Sequence, residues 1–277
     1  MGQAVVILRP MEILQAILLG IVEGLTEFLP ISSTGHLIIA ENYINFKDSA
    51  KIFTVAIQMG AILAVICYYY RDIVEKISGF FRGQNKAKKF IAGLVIASIP
   101  AGLLGLALDK QFDKYATPRV VALALIAGAI VLWFIDRRIP AKGSDNKSIN
   151  LEKITPRQAL LIGLAQCFAL VPGVSRSGAS IVGGLLTGLN RVTATAFSFY
   201  LAIPVLGAAG IYKLVTGSGE LSTISGGLTS LIVGTIVSFI VALLSISWLL
   251  KYVSSHSFKI FVYYRIILGI AVLLLLA

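Results

Sequence analysis

The sequence predicts an all-α integral membrane protein built from two inverted-topology repeats. Three observations predict this fold class: a composition poor in charge, apolar runs of membrane-spanning length, and two similar apolar segments that are each interrupted in the middle. Of the 277 residues, 57% are hydrophobic and only 13% are charged, whereas charged residues make up about 25% of an average soluble chain. Most of the surface is therefore predicted to contact lipid. We predict one membrane domain over residues 1–277, because no segment is left for a soluble domain.

Six apolar runs are long enough to cross the ~30 Å hydrocarbon core of a bilayer as helices. They lie at about 53–70, 90–108, 120–135, 195–215, 228–250 and 260–277. The loops 71–89 and 136–157 each carry six Lys or Arg, whereas 109–119 carries three and 216–227 carries none. The positive-inside rule therefore puts the first two loops in the cytoplasm and the other two outside.

The basic residues predict contact with lipid headgroups and no nucleic-acid partner. The formal net charge is +11, but the lysines and arginines lie in short loops beside apolar runs, where they attract anionic lipids. Cys67 and Cys167 lie in apolar runs, which argues against a disulfide framework. We also expect no cleavable signal peptide, since Glu23, Glu27 and Pro30 interrupt the first apolar run.

Two apolar segments do not fit as plain spans. Residues 11–46 are broken by PISSTGH (30–36), and residues 158–190 are broken by PGVSRSG (172–178). Proline and glycine end a helix, and serine or threonine can cap the next one. Irregular backbone inside a membrane survives only where protein or a wet cavity covers it. We therefore predict two re-entrant helix–loop–helix hairpins.

The two broken segments are copies of each other at an offset of 143 residues. QAILLGI, which starts at Gln15, matches QALLIGL, which starts at Gln158. At the same offset Glu23 matches Gln166, and SSTG (32–35) matches SRSG, which ends at Gly178. The chain therefore contains an internal duplication.

Three predicted spans follow each copy, and this odd number turns the second copy upside down relative to the first. Repeat one covers about 11–135, a cytoplasmic linker covers about 136–157, and repeat two covers about 158–277. The broken tips of the two hairpins are then predicted to meet near the midplane of the bilayer. Transporters built from inverted repeats have their polar sites at such a meeting point.

Glu23 and Glu27 are four residues apart and lie on one face of a helix in an apolar segment. A charged side chain at mid-bilayer costs ~2.5–3.5 kcal/mol or more, so such residues are candidates for function. Two close carboxylates in a low dielectric do not both ionise without a cation between them. That cation is predicted to be either a divalent metal or an arginine. The alternative is that both acids face water near the outer interface.

Arg176 is the only basic residue between Arg157 and Arg191, and it lies at the tip of the second hairpin. A guanidinium presents a planar set of donors that matches phosphate oxygens. Hydroxyl groups and backbone N–H groups at a helix start add further donors. We predict phosphate binding by Arg176 with Ser175, Ser177 and Gly178, and by Ser32 and Thr34 of the first hairpin. A structural salt bridge from Arg176 to Glu23 or Glu27 is the alternative.

His36 lies three residues after Ser33, which is one helical turn away. Histidine can act as base, acid or phosphoryl acceptor, so we predict that it acts with Ser33, although a purely structural role is the alternative. Four other polar residues are weaker signals. Gln58 and Gln166 are predicted to bond across helices, and Arg191 and Arg265 to extend from helix ends to the interface.

At GIVEGLTEFLPISSTGH (20–36) and PGVSRSG (172–178), the sequence resembles the bacterial undecaprenyl-diphosphatase family, also called bacitracin-resistance proteins. The resemblance continues through FTVAIQMG (53–60), RQALLIGLAQC (157–167) and NRVTATAFSFYLAIP (190–204). It implies hydrolysis of undecaprenyl diphosphate to undecaprenyl phosphate, which recycles the carrier lipid for peptidoglycan synthesis and confers bacitracin resistance. It also implies a multi-pass protein of the bacterial plasma membrane with an outward-facing site and a divalent cation, Mg²⁺ or Ca²⁺.

Carried over residue by residue, the resemblance assigns the metal to Glu23 and Glu27 and phosphate binding to Arg176. Glu27 and Arg176, with Ser33 and His36, form the predicted catalytic set. The expected mechanism is phosphoryl transfer by positioning and charge neutralisation. Ser33 or a water attacks with His36 as base, and the residues alone leave open whether Ser33, His36 or water is the nucleophile.

A lipid flippase or transporter that uses the same intramembrane site is the rival class, because the inverted repeat alone favours it. A membrane anchor without chemistry is disfavoured by the buried acids and arginine. The expected partners are a polyprenyl diphosphate lipid and the bilayer itself. The sequence leaves the oligomeric state open, with a homodimer as one arrangement.

Overall fold

A computed structural model describes residues 10–48, 51–113, 115–138, 149–216 and 224–276. These residues form helices joined by turns and loops, and they contain no strand. The helices, in chain order, are α1 (Pro10–Thr26), α2 (Ser33–Ile44), α3 (Ile52–Tyr68), α4 (Tyr70–Phe81), α5 (Asn85–Asp113), α6 (Pro118–Asp136), α7 (Pro156–Cys167), α8 (Arg176–Leu186), α9 (Arg191–Thr216), α10 (Gly227–Val253) and α11 (Lys259–Leu275). The prediction of an all-α fold is confirmed for this part of the chain.

Four helices among the described residues are long and apolar enough to cross a membrane. They comprise residues 85–108 of α5, together with α6, α9 and α10, and the bent pair α3–α4 makes a fifth if it is one span. The sixth predicted span corresponds to α11, whose 17 residues are fewer than in any of these four. Four or five of the six predicted spans are thus supported, and the chain is a multi-pass membrane protein.

The predicted loop 71–89 contains helix α4, which the apolar-run analysis missed. The axis of α4 is bent by 73° from that of α3. Exposed apolar side chains at Val74, Ile77 and Phe81 share this helix with Arg71 and other polar residues. A short amphipathic helix that turns away from a span fits the interface between headgroups and acyl chains.

Both predicted interruptions are real breaks between helices. Residues 27–32 separate α1 from α2, and residues 168–175 separate α7 from α8. The helices that follow the two breaks begin in the same way. Ser32 and Ser175 are the N-caps of α2 and α8, with positive φ values of 72° and 80°. Non-glycine residues rarely adopt such φ values, and they are found most often at functional sites.

Small residues let the first helix of each hairpin pack closely on a long helix of the other half. A Cβ atom at Gly20 of α1 would clash with the carbonyl oxygen of Gly234 in α10. A Cβ atom at Gly163 of α7 would clash in the same way with Ala97 in α5. Gly20 and Gly163 are matched positions of the duplication, so the two halves repeat this contact. Close approach of backbones through glycine is typical of helix packing in membranes.

Arg265 of α11 does not extend to an interface, and that prediction is wrong. Its side chain is buried, and it donates hydrogen bonds to backbone carbonyl groups of α6 and of both hairpin loops. The loop acceptors are Pro30 at 3.0 Å, Val174 at 3.0 Å and Gly173 at 3.4 Å. Arg265 therefore joins the two breaks to each other, because one guanidinium donates to carbonyl groups of both.

Arg191, at the start of α9, is also buried and does not extend to an interface. Its Nε atom donates to Asp136 Oδ1 at 2.7 Å, and its Nη2 atom donates to the Asp136 carbonyl oxygen at 3.0 Å. The second carboxylate oxygen of Asp136 accepts from the backbone N–H of Phe258 at 3.0 Å. This buried ion pair connects the end of α6 to α9 and to the turn before α11.

Candidate active site

The two hairpin breaks meet at a cavity of about 160 Å³. Side chains from both hairpins line it, together with residues of α3, α5 and α9. The lining residues are Glu27, Ser32, Ser33, Thr34, Gln58, Ala101, Gln166, Ala169, Leu170, Ser175, Arg176, Val205 and Leu206. The cavity therefore has a polar wall made by the breaks and an apolar wall made by the long helices.

Glu27 lies between the hydroxyl of Ser33 and the guanidinium of Arg176. Ser33 Oγ donates to Glu27 Oε2 at 2.5 Å, and Arg176 Nη2 donates to Glu27 Oε1 at 2.8 Å. Only 4% of the Glu27 side chain and 11% of the Arg176 side chain are exposed. A hydroxyl bonded to a buried carboxylate is arranged for transfer of its proton to that carboxylate. The salt bridge from Arg176 to Glu27, given as the alternative for this residue, is thus present, and phosphate binding by Arg176 stays a prediction.

Ser198 of α9 is a partner of Arg176 that the sequence analysis missed. Arg176 Nη1 donates to the Ser198 carbonyl oxygen at 2.8 Å, and Ser180 Oγ donates to Ser198 Oγ at 2.7 Å. The guanidinium carbon lies 5.9 Å from the centre of the Phe28 ring. These contacts fix the position and orientation of the guanidinium. A serine in an apolar helix is a weak signal, and only the fold brings it beside an arginine.

The starts of two short helices lie at the cavity. Ser33 is the first residue of α2, and Arg176 is the first residue of α8. A helix N-terminus carries a partial positive charge and N–H groups without partners inside the helix, and both features favour anions. Broken helices in transporters present anion sites in this way. The cavity therefore has the electrostatics of a phosphate site.

The predicted phosphate-binding hydroxyls divide into two groups. Ser32, Thr34 and Ser175 line the cavity. Ser177 does not line it, and its hydroxyl donates to the Leu29 carbonyl oxygen at 2.7 Å. Gly178 does not line it either, since its N–H donates to the capping oxygen of Ser175 at 3.0 Å. These last two residues stabilise the hairpin tips instead of facing the cavity.

His36 is not bonded to Ser33. Its Nδ1 atom lies 2.7 Å from the Ser32 carbonyl oxygen, and its Nε2 atom lies 2.7 Å from the hydroxyl of Tyr264. The two rings are stacked, with centroids 5.6 Å apart. Tyr264, which comes from the last helix, was not among the predicted site residues. The imidazole thus contacts the backbone of Ser32, whose positive φ shapes the cavity wall.

Glu23 is the predicted metal ligand that contacts neither Arg176 nor Ser33. Its carboxyl group is buried within hydrogen-bonding reach of that of Glu27, and apart from that neighbour its oxygens have no hydrogen-bond partner in the described part of the chain. Within those same residues, no group of three or more His, Cys, Asp or Glu side chains could bind a metal. Magnesium often binds to one or two carboxylates together with substrate phosphates and water. The Glu23 carboxyl, which neither Arg176 nor Ser33 contacts, therefore fits a divalent cation that also binds a phosphate.

Gln58 and Gln166 both line the cavity. The prediction that Gln166 bonds across helices is wrong, because neither of its amide atoms has a hydrogen-bond partner among the described residues. Only 1% of Gln166 is exposed. The duplication offered a signal for this residue, since Gln166 matches Glu23.

Together the fold and the cavity define a multi-pass α-helical membrane protein with a buried polar cavity where its two broken helix pairs meet. A sequence model of the family described as "Bacitracin resistance protein BacA" matches residues 16–271. The chain belongs to this family, as the resemblance of its motifs predicted.

Several curated relatives match nearly the whole chain. Undecaprenyl-diphosphatase 1 of Burkholderia lata is 45% identical over 264 residues, which cover 95% of each chain. Undecaprenyl-diphosphatase 1 of Burkholderia cenocepacia is 46% identical over the same length and coverage. Undecaprenyl-diphosphatase of Acinetobacter baumannii is 44% identical over 265 residues, again with 95% of each chain covered.

Proposed function

We propose that this chain is an undecaprenyl-diphosphatase, which hydrolyses undecaprenyl diphosphate to undecaprenyl phosphate and inorganic phosphate. The reaction recycles the carrier lipid and opposes bacitracin. The observation that carries the proposal is the contact of Ser33, Glu27 and Arg176 on one intramembrane cavity. Relatives named for this activity match 95% of the chain.

In the first step, Ser33 Oγ attacks the terminal phosphorus and Glu27 takes the hydroxyl proton. The bond between the terminal phosphorus and the bridging oxygen breaks, and undecaprenyl phosphate leaves with that oxygen. The guanidinium of Arg176 binds the phosphoryl oxygens while negative charge moves onto the leaving group. The hydrogen bond of 2.5 Å between Ser33 and Glu27 supports this choice of nucleophile and base.

In the second step, water attacks the phosphorus of the phosphoserine and the bond to Ser33 Oγ breaks. Glu27 returns its proton to the serine oxygen, and the proton of the water leaves with the phosphate or to solvent. Because Glu27 serves both steps, its replacement is expected to affect each of them. This scheme moves the base role, which the residue pattern assigned to His36, to Glu27.

We assign His36 a positioning role through its contact with the Ser32 carbonyl oxygen. Ser32 comes directly before the proposed nucleophile and has the unusual φ value of 72°. An imidazole bonded on its other side to Tyr264 can stabilise that backbone without touching substrate. Replacement of His36 is then expected to misplace Ser33.

A divalent cation, Mg²⁺ or Ca²⁺, completes the proposed site. Glu23 would bind it with one oxygen of Glu27, and when bound it would neutralise charge on the diphosphate. The buried Glu23 carboxyl supports this assignment, because its one close polar neighbour is the carboxyl of Glu27 and a cation between the two would relieve their repulsion. Glu27 already contacts Arg176 and Ser33, so Glu23 is the main protein ligand.

We also propose that the two halves are inverted in the bacterial inner membrane and that the cavity opens to the periplasm. The matched contacts of Gly20 and Gly163 with the opposite halves support the inversion. The basic loops 71–89 and 136–157 support a cytoplasmic position for those loops. A periplasmic cavity would receive the lipid diphosphate on the side of the membrane where peptidoglycan is assembled.

The direct test is phosphate release from undecaprenyl diphosphate by the purified protein in detergent. We expect stoichiometric phosphate and undecaprenyl phosphate, and no release by Ser33→Ala or Glu27→Gln. The repeated hairpins also favour a lipid flippase, the alternative function. Movement of lipid from one leaflet of a liposome to the other by the inactive Ser33→Ala protein would support that alternative. Absence of phosphate release by the wild-type protein would refute the proposed diphosphatase activity.

A further inference from the structure

Gln166 lies in the last turn of α7, directly after the apolar stretch 159–165. Both atoms of its side-chain amide are buried, and neither has a hydrogen-bond partner among the described residues. More than nine tenths of buried polar groups in proteins are paired, so an exception needs an explanation. The residue also lines the cavity that contains Ser33 and Arg176.

A structural role does not explain this amide. An amide that stabilises helix packing donates or accepts across the interface, and Gln166 does neither. Leaving such a group unpaired costs about 1–3 kcal/mol, whereas an apolar side chain of similar length would avoid that cost. The structural contact of α7 is instead made by Gly163, which packs against α5.

We propose that the Gln166 amide is a subsite for the substrate, in which Nε2–H donates to a nonbridging oxygen of the bound diphosphate. This inference rests on the proposed function and adds a residue that touches the phosphate. The cavity already presents Arg176 and the start of α8 from the same hairpin. Gln166 adds a neutral donor from the helix that precedes the break.

The duplication gives the assignment a physical logic. Glu23 and Gln166 are the matched positions of the two hairpins; the buried Glu23 carboxyl has only that of Glu27 beside it, and the buried Gln166 amide has no partner among the described residues. A carboxylate there suits a cation, and an amide N–H suits an anion. One copy therefore supplies an acceptor and the other a donor to the same charged ligand.

The test compares Gln166→Leu with Gln158→Leu, a change of the same kind on the same helix. Gln158 belongs to the capping box with Thr155, and its Nε2 atom donates to the Thr187 carbonyl oxygen at 3.0 Å. Gln158→Leu is expected to lower the melting temperature and to leave turnover per folded molecule unchanged. Gln166→Leu is expected to lower turnover per folded molecule without lowering the melting temperature.

For Gln166→Leu we expect kcat/KM to fall about 10- to 100-fold, as for loss of a hydrogen bond to a charged group. The melting temperature in detergent should stay the same or rise by about 2 °C or more. Gln166→Met should show the same changes as Gln166→Leu. Methionine is also apolar and is similar in length to glutamine, so this variant controls for poor packing of leucine.

A second readout does not depend on turnover. Inorganic phosphate should raise the melting temperature of the wild-type protein and should do so much less for Gln166→Leu and Gln166→Met. Equal phosphate shifts in all three proteins, or wild-type kcat/KM in both variants, would overturn the inference. So would a lower melting temperature with unchanged activity per folded molecule, because Gln166 would then be structural. A phosphate shift that depends on Gln166 without any wild-type turnover would instead refute the proposed function and leave the subsite standing.

Discussion

Replacing Arg176 with lysine tests the central contact of the site. The guanidinium makes two hydrogen bonds in different directions, to Glu27 Oε1 at 2.8 Å and to the Ser198 carbonyl oxygen at 2.8 Å. A lysine ammonium keeps the charge but is a single point on a flexible stem, so it cannot reproduce both bonds and also bridge two phosphate oxygens. The substitution is therefore expected to be far from conservative.

The expected loss follows from the number of bonds. One charge-assisted hydrogen bond contributes about 1.5–3 kcal/mol, and its loss lowers kcat/KM about 10- to 150-fold. Arg176→Ala should lose more activity, and it also leaves the buried Glu27 carboxylate without its ion-pair partner. Breaking a buried pair from one side costs about 3–5 kcal/mol of stability, so the alanine variant should also melt at a lower temperature.

The assay is phosphate release with a melting curve on the same sample. Arg157→Lys, at an exposed position of α7, is the control for the chemical change and should retain wild-type turnover. Arg191→Lys is the control for a buried ion pair away from the cavity, and it should lower stability with little effect on turnover per folded molecule. These controls separate charge geometry at the site from general damage.

Two outcomes would refute the reasoning. Turnover of Arg176→Lys at the wild-type rate would show that the planar donors of Arg176 are not needed. Alternatively, Arg176→Ala could fail to fold and regain its stability when Glu27→Gln is added. The arginine would then be a structural partner of Glu27 and not a phosphate ligand.

Three further predictions concern the nucleophile, the metal and the topology. Ser33→Ala should be nearly inactive, while His36→Ala should retain measurable turnover with a trappable phosphoserine; an acid-labile phosphohistidine would transfer the role to His36. Chelation of divalent cations should abolish turnover. Added Mg²⁺ or Ca²⁺ should restore turnover in the wild-type protein but not in Glu23→Gln, and full activity in excess chelator would exclude the metal from the mechanism. In a background without native cysteines, Tyr115→Cys should react with an impermeant thiol reagent added outside intact cells and Gln84→Cys should not; the reverse pattern would overturn the proposed orientation.

The long apolar helices and the two breaks were predictable because their causes are local. A bilayer requires about 20 apolar residues per span, and Pro30 or Gly173 beside a run of hydroxyl residues favours a break, whereas Pro100 and Pro204 without such neighbours lie inside α5 and α9. The duplication then indicated that the breaks are equivalent, and both capping serines have the same positive φ. The helix α4 was missed, since an amphipathic segment at the interface has a mixed composition that resembles a loop.

The cost of charge in a membrane also identified the central residues of the site from the sequence alone. Glu27 and Arg176 are 149 positions apart, yet each needs a partner in the bilayer, and the structure pairs them at 2.8 Å. The pairing of Ser33 with Glu27 instead of His36 was not predictable. Sequence spacing allows both contacts, and the choice depends on how the chain turns through the break.

Contacts from distant helices were decided only by the tertiary structure. Ser198 beside Arg176, Tyr264 beside His36, and Arg265 between the two hairpin loops all come from helices whose local pattern is that of an ordinary span. The hydropathy pattern predicts that a segment is buried in lipid or protein. It does not predict which backbone carbonyl or side chain a given residue contacts. By itself the sequence determined the fold class, the breaks and the charged residues of this protein. The orientation of each side chain depended on packing between helices that are far apart in the chain.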